Sequence, residues 1–260
     1  MLRDLTRADW LRILELPTER VPRVAVLRGT RNLKNHYARY RDLFSDVIDL
    51  GSPNAVLEDV LVGRLNGIDI GFAAAYGAPM ASEVTHLFGA LGTRLIIQTG
   101  CCGALAPGMQ AGDLVLPSVA FCGEGASQYY MPGSTWLEAS AERLAQTHGL
   151  LQAMPLDDLA VHRVPIYTTS AMFAEGPDDL DRWHTLGCGA VDMETSATYA
   201  VAQHFGMQRV ALLFVFDNPR EGSHVLLQED DKEARRRLGE AAMIKAALAL
   251  AMCATDQDEG

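Results

Sequence analysis

Residues 94–117 read RLIIQTGCCGALAPGMQAGDLVLP, and the fold class turns on this stretch. Leu95, Ile96 and Ile97 form an apolar run with no polar face, the pattern of a strand covered on both sides. The run leaves through a glycine-rich exit, Gly100-Cys101-Cys102-Gly103, and a second apolar strand, DLVLPSVAF, follows at once. Upstream, after Pro79, MASEVTHLFGALG supplies apolar side chains at helical intervals, and Pro79 suits a first helical turn. Strand and helix therefore alternate around the exit, as in an α/β sheet.

Further out the alternation continues. PRVAVLR, residues 22–28, predicts a first strand running into Gly29 and a polar turn, TRN. VLVGRL and IDIGFAAAY meet at Asn66-Gly67, a tight-hairpin signal because both residues tolerate positive φ. TWLEASAERLAQTHG reads as a helix closed by Gly149, VHRVPIYTTS as a strand and its exit, and PDDLDRWHTLG as a short helix opened by Pro177 and two acids. AVDMETSATYAVAQHFG joins a short extended piece to a helix closed by Gly206, RVALLFVFD is a nearly continuous apolar strand, and residues 229–253 form a last helix. No linker or repeat divides the chain. The expectation is one α/β domain over residues 1–260, a mixed central sheet flanked by helices in three layers, with residues 1–20 as an N-terminal extension and 254–260 as a flexible tail.

Composition narrows the function. The 260 residues carry 22 Lys plus Arg against 33 Asp plus Glu, a net charge of −11, and the only dense basic run is Arg235-Arg236-Arg237 inside an acidic segment. A duplex-binding protein concentrates positive charge, so nucleic acid is not expected as a partner. Five cysteines without paired spacing read as reduced thiols, not a zinc site or a disulfide scaffold. The opening MLRDLTRADW lacks the apolar stretch of a secretory signal and no 18-residue apolar segment occurs, so a cytoplasmic chain without membrane contact is expected.

Ligands of α/β sheets collect beyond the carboxyl ends of strands. The candidate exits are Gly29-Thr30, Gly100 to Gly103, Ala171-Met172-Phe173 and Asp217-Asn218. A glycine-rich exit can cradle an anion or let a sugar approach the backbone, although GCCG also fits a plain turn. Glu194, beside Met193 at the start of a helix, suits two vicinal ribose hydroxyls, with the thioether on the sugar's apolar face; helix-start charge compensation is the alternative, which Asp192 fills more easily as a cap. Asp217 ends an apolar strand where a carboxyl can protonate a departing heterocycle, or where an Asx turn simply ends the strand. Phe173 can stack on a base or belong to the core.

At these residues the sequence resembles the nucleoside phosphorylase and nucleosidase superfamily, which contains purine nucleoside phosphorylases, uridine phosphorylases and methylthioadenosine/S-adenosylhomocysteine nucleosidases. The matching pieces are LNGIDIGFA, GALGTRLIIQTGCCGALAPGMQAGDLVLP, TTSAMFAEG, AVDMETSATYAVAQHFG and FVFD, covering about residues 22–250 in order. The resemblance implies the superfamily's three-layer sandwich and cleavage of a nucleoside, purine by preference, to free base and ribose 1-phosphate. By motif, Gly29 and Cys101 fall on the phosphate or nucleophile side, Phe173 on the base-stacking aromatic, Met193 and Glu194 on the ribose-binding pair, and Asp217 on the acid acting at purine N7. Arg236 matches the arginine that helps bring that acid forward, with Arg235, Arg237 and a solvated helix face as competing readings. Inorganic phosphate is the implied co-substrate, with no cofactor and no metal, and a homo-oligomer, dimer or hexamer, is implied.

The departures sit on one side. Leu33 and Gln98 stand where phosphate-binding arginines are expected, Val56 or a neighbour falls where a partner subunit lends another, and MLRDLT holds no counterpart of the histidine that reaches a neighbour's ribose. Arg28 and Arg31 lie near enough in sequence to substitute. IIQTG also resembles the nucleosidase IINTG, but the water-activating glutamate of the first loop is absent unless Glu175, Glu83 or a partner residue supplies it. Hydrolysis of the same bond and a non-catalytic nucleoside sensor therefore remain as alternatives.

Overall fold

The computed structural model describes residues 1–51, 57–226 and 230–256. Val56, residues 227–229 and the last four residues of the expected tail lie outside the described residues. The chain runs α1 (Arg7–Ile13), β1 (Val24–Gly29), α2 (Leu33–Arg41), β2 (Ser45–Asp49), β3 (Val60–Leu65), β4 (Ile68–Ala75), α3 (Gly77–Leu91), β5 (Leu95–Ala104) and β6 (Leu114–Cys122). It continues through β7 (Trp136–Glu138), α4 (Ala141–Gln152), β8 (Val161–Thr168), α5 (Pro177–Thr185), β9 (Ala190–Asp192), α6 (Thr195–His204), β10 (Gln208–Asp217) and α7 (Asp230–Asp256).

The expected three layers are present, and β1 displays them residue by residue. Val24 and Val26 enter one core with Tyr40 of α2 and Met243 and Leu250 of α7. Ala25 and Leu27 enter the opposite core with Leu87, Phe88 and Leu91 of α3. Alternate side chains of one strand thus fill two cores, which is why the strand sequences carry no polar face. The N-terminal segment packs into the second core through Leu16, Trp10 and Leu11.

Strand order is β2-β3-β4-β1-β5-β9-β8-β6-β10, and β10 pairs again with β5, so the last five strands close into a barrel with the first four as an open extension. Closure removes the exposed edges of β5 and β10. The β3–β4 hairpin turns at Asn66 and Gly67, with φ of 52° and 84°, as expected.

Some expectations need correction. TWLE is not helical: Leu137 is buried between exposed Trp136 and Glu138, a period of two, and the three residues form β7 against β6. Gly149 does not close α4, because nothing in its surroundings forces a break and the helix continues to bring Leu151 into the core. Helix α2 follows the TRN turn unexpectedly; Leu33, Tyr37 and Tyr40 make one helical face too sparse to stand out among five polar neighbours.

Candidate active site

The fold makes its cleft where β5 changes partner. Its first half pairs with β1 from Val24↔Leu95 to Arg28↔Thr99. Its last residues pair on the same edge with β9, beginning at Gly103↔Val191. Between them, Gly100, Cys101 and Cys102 have no strand on that edge, while the other edge stays on β10 throughout. This divergence of neighbours is the crevice in which α/β sheets place ligands. It opens a cleft of about 720 Å³ whose lining includes Gly29, Cys101, Phe173, Met193, Glu194, Asp217 and Arg236, and does not include Leu33, Glu83, Gln98 or Arg235.

At its centre lies Glu194, which is 6% exposed. Capping of α6 is done by Asp192, whose Oδ2 accepts from the Thr195 amide at 2.8 Å, the Glu194 amide at 3.2 Å and the Thr195 hydroxyl at 2.6 Å. Relieved of that task, the Glu194 carboxylate turns to α3, where its Oε1 accepts from the Gly77 amide at 2.7 Å. Gly77 has φ +79°, which aims this amide and suits glycine. The other oxygen faces Gly29, where a Cβ would lie 2.8 Å from Oε2, so a side chain at position 29 would displace the carboxylate. Burial, followed by the Asp192 charge, raises Glu194 to about 8, against the pull of the Gly77 amide and Arg28.

On the β5 side Cys101 opens onto the cleft but is otherwise ringed by protein, and this setting pushes its thiol up to about 11. It is therefore a neutral polar contact near pH 7, not a thiolate. Cys102 is buried, its Sγ 3.6 Å from the Phe214 carbonyl, which is a packing position.

Asp217 ends β10 opposite Gly103, its Oδ1 only 3.3 Å from where a Cβ there would sit. The contacts that end the strand are made by Asn218, whose Nδ2 donates to Ala106 O at 3.4 Å. Among the three consecutive arginines the structure discriminates. Arg235 binds buried Asp113 at 2.9 Å and Arg237 binds Glu233 at 2.9 Å on an exposed face. Arg236 is 7% exposed, donates from Nε to Phe216 O at 2.7 Å and lies 4.2 Å over the Phe216 ring, next in sequence to Asp217. Glu175 also lines the cleft; burial first, then the charges of Asp217 and Asp179, raises it to about 7. Phe173 is 75% exposed at the mouth and does not belong to the core.

The nucleophile side is built differently. Leu33 packs against the core, and fully buried Gln98 donates to Asp192 at 3.1 Å, so neither position presents a cation. Arg28, 2% exposed, lines the cleft and binds Glu240 of α7 at 2.7 Å. Glu240 also receives Arg39 at 2.8 Å, with His36 3.7 Å away. Burial and Arg28 hold His36 down at about 4, so it is neutral near pH 7. Arg28 Nε has no hydrogen-bond partner among the described residues.

Sequence reasoning missed Tyr76, Gly77, His36 and Glu240. A signal existed for the first two, since Tyr76-Gly77-Ala78-Pro79 is another strand exit with a glycine and a helix-starting proline. Glu240 gave none, because its partners lie more than 200 residues away. Among the described residues no cluster of His, Cys, Asp and Glu could hold a metal, and no helix is long and apolar enough to cross a membrane.

Comparison with known proteins agrees with this architecture. A guanosine phosphorylase from Halorubrum lacusprofundi is 28% identical over 156 residues, 60% of this chain and 64% of that relative, so the match spans less than two thirds of its length. A DeoD-type purine nucleoside phosphorylase from Geobacillus kaustophilus is 27% identical over 180 residues, 68% of this chain and 71% of the relative. The crystal structure of uridine phosphorylase from Vibrio fischeri superposes with a TM-score of 0.75 at 20% identity, covering 91% of this chain and 94% of that one, a likeness of fold. The family model described as the phosphorylase superfamily matches residues 60–251, and the chain belongs to that superfamily.

Proposed function

We propose that this protein cleaves the N-ribosyl bond of a purine nucleoside, with phosphate as the attacking group. The observation that carries the reading is the buried Glu194 carboxylate, freed from capping and held by the Gly77 amide in the cleft. Gly29 ends β1, Cys101 lies within β5 just past its last pair with β1, and Asp217 ends β10 opposite Gly103, so Gly29 and Asp217 stand two strand spacings apart across the sheet and about three residues apart along it, roughly 14 Å. That span suits an attacking phosphate, a ribose and its base in line.

In this arrangement Glu194 accepts the 2′ and 3′ hydroxyls, Met193 packs on the sugar and Phe173 covers the base. As the bond from C1′ to N9 breaks, its electron pair moves into the purine, and Asp217 stabilises or supplies the proton at N7. A phosphate oxygen bonds C1′ from the side of Gly29, Cys101 and Arg28, giving free base and ribose 1-phosphate. Arg236 is a positioning residue for the strand end that carries Asp217. The similarity to purine nucleoside and guanosine phosphorylases supports phosphate and a purine, and the uridine phosphorylase resemblance concerns the fold. A homo-oligomer, dimer or hexamer, and a cytoplasmic setting belong to the same proposal.

Leu33 and Gln98 favour a second reading, in which water replaces phosphate and yields ribose, because arginine's charged fork is missing from both positions. Base release from inosine, guanosine, adenosine, uridine and methylthioadenosine, with and without phosphate, decides between them. Phosphorolysis requires at least tenfold faster release with phosphate, by the usual worth of charge-assisted binding of about 1.5–3 kcal/mol. Equal rates establish hydrolysis, and saturable binding without release establishes a sensor.

A further inference from the structure

The chemistry above places Arg28 on the nucleophile side and leaves Arg31, the other arginine near enough in sequence to substitute there, without a task. It stands at the mouth of the cleft with its guanidinium carbon 4.6 Å over the Tyr76 ring and 5.1 Å over the Phe173 ring. Its one side-chain hydrogen bond is a weak contact from Nη2 to the Met172 sulfur at 3.9 Å, and it forms no ion pair among the described residues. A guanidinium held over aromatic rings by cation–π attraction keeps its N–H donors free for another partner. Two aromatic rings thus hold a planar, uncompensated fork in place before any ligand arrives, in a chain whose net charge is −11.

Arg31 is also part of a second hollow, of about 440 Å³, lined by Tyr76, Ser170, Ala171, Phe173 and Met193. Arg31, Tyr76, Met172, Phe173 and Met193 line both this hollow and the main cleft, so the hollow opens off the cleft beside the sugar and the ring that covers the base. The orientation of a bound ribose fixes what enters it. With O2′ and O3′ on Glu194 and C1′ toward Gly29 and Cys101, the remaining substituent is C5′, and the mouth beyond Met193 is the open direction. Arginine's fork matches the oxygens of phosphate or carboxylate in two parallel hydrogen bonds.

We infer that this hollow is a subsite for an anionic group on the 5′ carbon of the substrate, read by Arg31, and that the substrate class is a purine nucleoside 5′-monophosphate. The inference rests on the nucleoside-cleaving reading. Phosphorolysis of such a substrate gives free base and ribose 1,5-bisphosphate; hydrolysis gives free base and ribose 5-phosphate.

The test compares inosine, inosine 5′-monophosphate and inosine 5′-carboxylate in the wild type, R31Q and R31K. The expected wild-type kcat/KM is about 10–100-fold higher for the monophosphate than for inosine, the range of a charge-assisted pair. R31Q abolishes this preference, and R31K, retaining charge without the fork, keeps part of it. A carboxylate preferred over the monophosphate moves the subsite to carboxylate-bearing nucleosides and overturns the assignment to monophosphates. Equal use of inosine and its monophosphate by the wild type, or equal losses on both in R31Q, overturns the subsite. Absence of base release from all three sinks the cleavage reading instead, and calorimetric titration with inosine and its monophosphate then decides the subsite alone: tighter monophosphate binding that R31Q removes supports it, and equal affinities overturn it.

Discussion

The proposed sugar bed and nucleophile side line one cleft, yet they are held by different means. At the sugar bed the key carboxylate is fixed by backbone: the Gly77 amide grips Glu194, Gly29 leaves it room, and Asp192 caps the helix in its place. On the nucleophile side the polar groups are side chains holding side chains, Arg28 and Arg39 on Glu240, drawn from β1, α2 and α7. Backbone donors follow from the path of the chain and survive wherever the fold does. Side-chain cations do not, and here two expected arginines have become a half-buried leucine packed on the core and a buried glutamine. On the proposed reading, the hold on the sugar-binding carboxylate comes from backbone, whereas the hold on the attacking group rests on side chains alone.

The comparison breaks first at Glu194. At pH 9, where Glu194 is ionised, Glu194→Ala is expected to lower kcat/KM for ribosides by about 10²–10³, the loss of two hydrogen bonds to a charged group. Loss on 2′-deoxyribosides should be about tenfold smaller, because one of those bonds is already missing. Steady-state kinetics on the two substrate series measures the difference, and equal losses would remove Glu194 from the sugar.

The next largest effect is at the base. Asp217→Asn keeps the shape of the strand end and removes the acid, and about a 10²-fold fall in purine nucleoside cleavage is expected, the low end for general acid catalysis. Uridine cleavage, which has no N7 to protonate, should change less than about threefold by the same reasoning. A uniform fall would detach Asp217 from the purine.

On the other side, Arg28→Met should raise the KM for phosphate about tenfold while moving the nucleoside KM by less, because the lost group is one charge-assisted contact to the attacking anion. An unchanged phosphate KM would falsify the role of Arg28 and shift weight to water as the nucleophile.

This asymmetry also explains what could be read from the sequence. The layers were legible because strands such as β1 and β5 are apolar on both faces, a pattern that only a covered sheet explains. Glu194 and Asp217 were legible because they sit at strand or helix ends beside apolar runs. The closure of β10 onto β5 was not, since continuous apolar strands look alike in an open sheet and in a barrel. Nor was the fate of Gln98 legible: only the register of β5 with its neighbours turns it toward Asp192, inside the core. Glu240 escaped for the same reason, because its role exists only once α7 folds back over β1 and α2.

The smallest effect concerns Glu175, the carboxyl added to the base end. Unlike Glu240, which is matched by two arginines, Glu175 faces the carboxylates of Asp217 and Asp179, and burial with these charges raises it from 4.5 to about 7. Its folded form therefore holds a proton that the unfolded chain has released between those values, and stability falls as pH rises through this window. The contribution is fully present below pH 4.5 and is lost above about pH 7. Because the side chain is only half-buried, water screens much of this, and a difference on the order of 1 kcal/mol is expected. Glu175→Gln, which cannot ionise, should match the wild type near pH 4 and exceed it near pH 8 by about 2–4 °C in Tm. Thermal unfolding of both proteins across this range isolates Glu175 with its coupling to Asp217 and Asp179, since the remaining titrations are common to the two. A gap that stays constant with pH would mean that Glu175 is already compensated, and the base end would then be charge-balanced like the nucleophile side.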